Sequence, residues 1–272
     1  MEEKIIMDIK EPDCQSELAS NERAVSALYQ NSTVANKYIQ DRFVLAWQQL
    51  LHRMQVRSVQ QSIQLFNPDN VLEIAPGPAR LTTELTGISK GTMLEYSSDM
   101  INVARVRLQE HELLNKWTIV HGNAFELKDC PGPFDFIYTF RFIRHFDEEH
   151  RVRLYAAIHS RLRLHGILMF DVVNSTYNMQ DRPSANKTAD ALPVFDAGYT
   201  PKQFRDEMNA GGFEVLDMHP VIRHFRIQAW ISSKLYDVVP AFSRRIVQAI
   251  ETIPSRSPLE WIAVCRRMDG HE

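Results

Sequence analysis

Between about residues 70 and 173, short apolar runs alternate with amphipathic stretches, and this exchange of periods constrains the fold more than any other feature of the chain. The runs at 70–75, 91–96, 117–122, 134–140 and 166–173 read as strands. The stretches at 79–85, 99–114 and 148–164 place apolar residues three and four apart and read as helices. Strands that are apolar on both faces need cover on both sides, and helical crossovers between parallel strands supply it. The pattern therefore predicts a mostly parallel α/β sheet. Beyond it, Thr200 and Pro201 have the chemistry of an N-cap and a first helical residue, and Gly211-Gly212 ends that helix before a strand at 213–221. A last strand is predicted at 259–266. The stretch 227–253 is helical, with a stripe running from Trp230 through Val239 and Phe242 to Ile250. Core packing accounts for that stripe first, and a wall over a pocket second.

Composition narrows the partners. The 272 residues are 44% hydrophobic, enough for a substantial core. Lys plus Arg number 31 and Asp plus Glu 34, so the basic excess that neutralises a phosphate backbone is missing and nucleic acid is disfavoured. Cys14, Cys130 and Cys265 are far apart, which argues against a disulfide framework and a zinc site. His145 and His150 are five apart and the other histidines form no ligand pair, so no metal is expected. No export leader or membrane span is visible, and a reduced, cytoplasmic setting is the expectation. The organisation expected is a polar arm over 1–20, a helical cap over 21–67 and one domain over 68–272, with acceptor-pocket or lid elements at 174–199 and 227–254. Monomer and homodimer both remain open.

The segment 71–85 carries the most chemistry. Glu73 stands inside an apolar strand, where an unpaired carboxylate is expensive, so it must meet a donor or a ligand. In an open α/β sheet, ligands sit beyond the carboxyl ends of the strands where strand order reverses, and the first strand-to-helix turn lies there. Gly77 permits a tight path, Ala75 and Ala79 leave room, and a helix starting at 79 would aim free N–H groups at an anionic ligand. The G-x-G-x-x-G of a nicotinamide site and the G-K-[ST] of a P-loop are both absent.

The run Leu72-Glu73-Ile74-Ala75-Pro76-Gly77-Pro78-Ala79-Arg80-Leu81-Thr82 resembles motif I of the class I S-adenosylmethionine-dependent methyltransferases, in its small-molecule group. It departs from that motif at Ala79, where glycine is usual; alanine fits if its φ is negative. The resemblance extends through Glu95, the stretch His121 to Leu127, the strand Phe134 to Phe140 and the turn at His165, in the family's order. It implies a Rossmann-like, doubly wound sheet of seven strands, mostly parallel with the last antiparallel, a helical cap and a helical insertion between the last two strands. It also implies S-adenosylmethionine as cofactor. Glu73 would orient the loop Ala75-Pro76-Gly77-Pro78-Ala79 and meet the methionine amino group, and Glu95 would bind the ribose. Tyr96 and Met100 would flank the adenine, Asn123 would accept from its amino group and Ala124 N–H would donate to the ring. Phe140, Tyr38 and Arg42 complete the cofactor contacts that the resemblance implies.

The methyl acceptor is expected beside the fourth strand. Arg141 and Arg144 are candidates to clamp an anionic group, although Arg144 could instead pair with Asp147 or Glu148. His145 is the candidate base, with Tyr138 and Tyr177 weaker ones, and the acceptor loop contains Arg182 and Asp196. The expected activity is methyl transfer to a small, partly apolar molecule by direct displacement, in secondary metabolism. A protein or RNA methyltransferase and a non-catalytic cofactor binder remain alternatives. Against the first, Tyr138-Thr139-Phe140-Arg141 stands where an N-P-P-Y signature would be.

Overall fold

The computed structural model describes residues 43–130, 132–177 and 196–269. Among the described residues eight strands form one sheet: β1 (Val71–Ile74), β2 (Gly91–Glu95), β3 (Trp117–His121), β4 (Phe134–Thr139), β5 (Leu162–Asn174), β6 (Gly198–Tyr199), β7 (Phe213–Val221) and β8 (Glu260–Arg267). Their order is β3-β2-β1-β4-β5-β8-β7, with the short β6 paired to β5. β8 runs antiparallel to both of its neighbours, while the pairs from β3 to β5 are parallel. The Rossmann-like, doubly wound architecture with an antiparallel last strand is thus present. The eighth strand is the two-residue β6, too short to announce itself by periodicity.

Among the described residues six α-helices accompany the sheet: α1 (Ala46–Phe66), α2 (Ser98–Glu110), α3 (Glu148–Arg161), α4 (Pro201–Ala210), α5 (Phe225–Leu235) and α6 (Pro240–Glu251). Three start on side-chain caps: Ser97 accepts from Met100 N, Asp147 from His150 N and Thr200 from Gln203 N. Such caps contribute about 1 kcal/mol each by satisfying N–H groups that have no helical partner. The stretch read as one helix over 227–253 is two, α5 and α6, broken before Pro240.

Alternation along the strands sorts the core into two halves. Leu72, Ile74, Ile137 and Leu168 pack against α3 and α4, through Leu154, Tyr155 and Phe204 among others. Val71, Met93, Tyr138 and Met169 face the layer of α1, α5 and α6, through Leu51, Val59 and Phe225. Burying each such side chain is worth roughly 1.5–3 kcal/mol. Glu73 shares the parity of Val71, and its Cα partners in register are Met93 on β2 and Tyr138 on β4. A carboxylate is therefore set into the face covered by α1. β1 connects to β2 on one side while β4 lies on the other, so strand order reverses between β1 and β4.

Candidate functional site

The segment after β1 turns sharply because its residues alternate in φ sign. Ala75, Gly77 and Ala79 have φ of 52°, 58° and 57°, with Pro76 and Pro78 between them. Ala75 N–H still donates to Leu94 O at 2.8 Å, the last rung of the β1–β2 ladder. Ala79 does not have the negative φ that its fit to the motif requires: an alanine is held in the left-handed region, at a cost of roughly 1–2 kcal/mol. The expected helix at 79–85 is also absent. Turns lead into a 3-10 helix at Thr82–Glu84, so no row of helix-start N–H groups faces a ligand. Two prolines within the turn remove further donors.

Glu73 is 2% exposed, and its Oε2 accepts hydrogen bonds from Thr82 Oγ1 and, at 2.8 Å, from Tyr138 OH. Burial pushes its carboxyl up to about 7, against the lowering effect of the two hydroxyls and of Arg80. Tyr138, expected as a weak candidate base, is buried beneath the surface. Its phenol is pushed well above 10 by burial and by the neighbouring Glu73, so it acts as a hydrogen-bond donor and not as a base. The partnership was missed in the sequence because the two residues are 65 positions apart; their register across β1 and β4 brings them together.

Glu95 closes β2 and is also buried. Its Oε2 accepts from Gly77 N at 2.9 Å, and its Oε1 from Tyr96 N and Ser97 N, each at 2.9 Å. Burial raises its carboxyl, opposed by these backbone bonds. The residue expected at the ribose thus braces the motif loop from below. Three of a carboxylate's roughly four acceptor positions are occupied, which leaves room for a ribose hydroxyl. Met100 is buried, with its sulfur 4.0 Å from the place a Cβ on Gly77 would occupy, whereas Tyr96 is 49% exposed. Asn123 turns its Oδ1 to Phe125 N at 3.0 Å, and Ala124 is buried beside it. Phe140 is buried at the end of β4. Tyr38, Arg42 and Arg182 lie outside the described residues.

Arg80, a residue of the motif given no role from the sequence, ties the loop to α1. It is buried, donates to His52 Nδ1 and, at 2.9 Å, to Gln55 Oε1, and stands over the Phe43 ring at 4.7 Å. Glu84 in turn pairs with His52.

The loop after β4 contradicts one expectation. Arg144 is 2% exposed and is neither an acceptor clamp nor a partner of Asp147 or Glu148. Its guanidinium binds Asp171 Oδ2 and Glu260 Oε2, each at 2.8 Å, and both oxygens of Asp196. Burial opposes its charge, but the three carboxylates hold the guanidinium protonated. Asp196, expected in the acceptor loop, belongs to this cluster: burial would raise it, yet Arg144 and His145 keep it well below the usual carboxylate range. His145, the candidate base, is 4% exposed with Nδ1 2.9 Å from Asp196, so it is built into the cluster and presents no open edge to a substrate. Tyr177 donates to Ser257 O at 3.1 Å. Arg141 has φ 60°, and its N–H donates to Asp171 Oδ1 at 2.7 Å. Its half-buried guanidinium forms no ion pair among the described residues, and its Nε has no partner there.

Among the described residues no group of acids, histidines and cysteines could hold a metal ion, and no helix is long and apolar enough to cross a membrane.

Residues 71–166 match a family described as a methyltransferase domain, the span that includes β1 to β4 and the loops just described. Several solved structures share the fold. A magnesium protoporphyrin IX methyltransferase from Synechocystis PCC 6803, with bound S-adenosylmethionine, aligns over 90% of this chain and 97% of its own at a TM-score of 0.59 and 13% identity. DhpI, in complex with the demethylated product, aligns over 94% of this chain and 97% of its own at 0.54 and 14%. The [4+2]-cyclase SpnF aligns over 82% and 83% at 0.55 and 19%. At these identities the likeness carries the fold. No curated protein sequence matches the chain.

Proposed function

We propose that the chain is a class I, Rossmann-like methyltransferase that transfers the methyl group of S-adenosylmethionine to a small-molecule acceptor by direct displacement, a reading that starts from the methyltransferase-domain match over residues 71–166. The observation that carries this reading is the loop Ala75 to Ala79, folded back through three positive φ values and braced by Glu95 where strand order reverses. The residues there fit such a cofactor. Glu73 offers a buried carboxylate to an ammonium group, Glu95 a carboxylate at the end of β2, and the Pro-Gly-Pro turn keeps side chains out of the way. The cofactor supplies an electrophilic methyl group, and the protein's task is alignment. Holding the reacting atoms about 3–3.5 Å apart removes roughly 7–11 kcal/mol of barrier with no covalent intermediate.

Arg141 is the group we assign to the acceptor. Its guanidinium is the cation after β4 that no carboxylate engages among the described residues, and Asp171, itself held by Arg144, fixes its backbone. An acceptor with a carboxylate or phosphate suits it. Arg144 and His145 are then positioning residues. The exposed Trp230 and Phe242 of α5 and α6 are offered as an apolar wall for the same acceptor. A near-neutral charge of -3 supports a small molecule over nucleic acid, and a cytoplasmic location belongs to the same reading.

Calorimetric titration tests the cofactor half: S-adenosylmethionine and its demethylated product bind the wild type, and Glu95→Gln weakens both about tenfold. No binding by the wild type overturns the reading. Incubation with methyl-labelled cofactor and a fractionated cell extract tests the rest. Label in a small-molecule fraction is the expected result; label only in protein or RNA, or none at all, overturns the acceptor class or the catalysis.

A further inference from the structure

Glu73 is placed where its surroundings disfavour a negative charge. Tyr138 on β4 and Thr82 in the loop give it hydroxyl hydrogen bonds, and neither brings a positive charge. Arg80, the cation whose charge acts on it, is engaged by His52 and Gln55 of α1, and the charge of Glu95 on β2 adds repulsion. Both hydroxyls act on one oxygen, Oε2, and Oε1 has no hydrogen-bond partner among the described residues. The carboxyl is thus fixed by one edge with its other oxygen available to a proton or to an incoming donor. A buried acid in this state holds its proton until a cation arrives.

We propose that Tyr138 is a positioning residue that locks Glu73 by Oε2, and that the pair exchanges a proton for the cofactor's α-ammonium group. The inference rests on the cofactor reading above and extends it to the protonation chemistry of the site. The step balances simply: the Glu73 carboxyl loses a proton to solvent, and the resulting carboxylate accepts a hydrogen bond from the ammonium, which stays charged. No bond to carbon changes. Thr82 and Tyr138 remain donors before and after, so the charge is held in place as it forms.

The test is calorimetric titration of S-adenosylhomocysteine into the full chain at about pH 6, in buffers of different ionisation enthalpy. The ligand's own amino group is fully protonated there, its ordinary pKa being about 8. The wild type is expected to release close to one proton per ligand, because a carboxyl near 7 is mostly protonated at that pH. Glu73→Gln releases close to none. Methylthioadenosine, the same nucleoside without the amino-acid end, binds the wild type with no release. Tyr138→Phe keeps the release, loses about five- to tenfold in affinity for S-adenosylhomocysteine and none for methylthioadenosine, and moves the pH midpoint of release upward, since one donor to the carboxylate is gone. A wild type that binds without releasing a proton, or a Glu73→Gln variant that releases as many, overturns the proposal and leaves the cofactor reading standing. Equal losses for both ligands in Tyr138→Phe reduce Tyr138 to a packing role and overturn its part. If neither ligand binds the wild type, the cofactor reading fails and this inference fails with it.

Discussion

Glu73 at the end of β1 and Asp196 beside β6 are both buried carboxylates near the carboxyl edge of the sheet, and their acidities move in opposite directions. Asp196 has its cation built in: Arg144 lies against it, shared with Asp171 and Glu260. Glu73 has hydroxyls. The first cluster has a cation in place and ties the loop after β4 to β5 and β8. The second is neutral only while it holds a proton. Burial is similar in the two, so the partner decides the outcome, and the difference separates a group that stabilises the fold from one available to a ligand.

Removing the cation of the Arg144 cluster should have the largest effect. Arg144→Met leaves three buried carboxylates facing one another, and losing one partner of a buried ion pair already costs about 3–5 kcal/mol. Denaturant unfolding should show at least that loss, or no folded protein. Arg144→Lys keeps a charge but not the planar fork, and should fall between. A loss below about 1 kcal/mol in Arg144→Met would erase the contrast between the clusters.

The second effect is a difference in pH dependence. Glu73 is raised from an ordinary 4.5 to about 7 in the folded protein, so its contribution is fully present below about 4.5 and is lost as pH rises through 7. With roughly 1.4 kcal/mol per unit, stability of the ligand-free protein should fall by about 3 kcal/mol across that window, and Glu73→Gln should abolish the fall. Asp196 is lowered, so its contribution is present above its ordinary 3.8 and is lost as pH drops below that value. Unfolding midpoints measured from pH 3 to 8, in wild type and Glu73→Gln, separate the two slopes.

How much of this was legible in the sequence depends on how far apart the partners lie. The predicted strands appear where the pattern puts them, with β5 starting four residues earlier, and two of the three helical stretches between 70 and 173 survive as α2 and α3, because a period of two or of about 3.6 is written locally. Thr200-Pro201 and Gly211-Gly212 bound α4 as their chemistry demands. The helix after β1 failed because Pro76, Pro78 and the positive-φ alanines form a turn that helix-forming composition at 79–85 conceals. Glu73 needed a donor, and that much followed from its neighbours; that the donors are Thr82 and Tyr138 required strand register. Arg144 was unreadable. Its carboxylates come from positions 171, 196 and 260, and the near alternatives at 147 and 148 are a cap and an exposed helix start.

The smallest expected effect concerns the loop that holds Glu95 and, through it, the geometry between the clusters. Gly77 and Ala79 both have φ near 58°, yet one has no side chain and the other does. A Cβ on Gly77 would touch only Met100, at an ordinary 4.0 Å, so Gly77→Ala should cost the left-handed strain alone, about 1–2 kcal/mol, with little steric addition. Ala79→Gly removes the same strain, but the added freedom of the unfolded chain offsets about 0.5–1 kcal/mol of the gain. The net expectation is a stabilisation of about 0–1 kcal/mol, measured by the same unfolding experiment, with cofactor affinity unchanged within about twofold. Because both substitutions probe one backbone conformation from opposite sides, their signs should differ. If Ala79→Gly destabilises instead, Ala79 contributes through its buried methyl group, packed in the core on the α1 side of the sheet, more than its backbone costs.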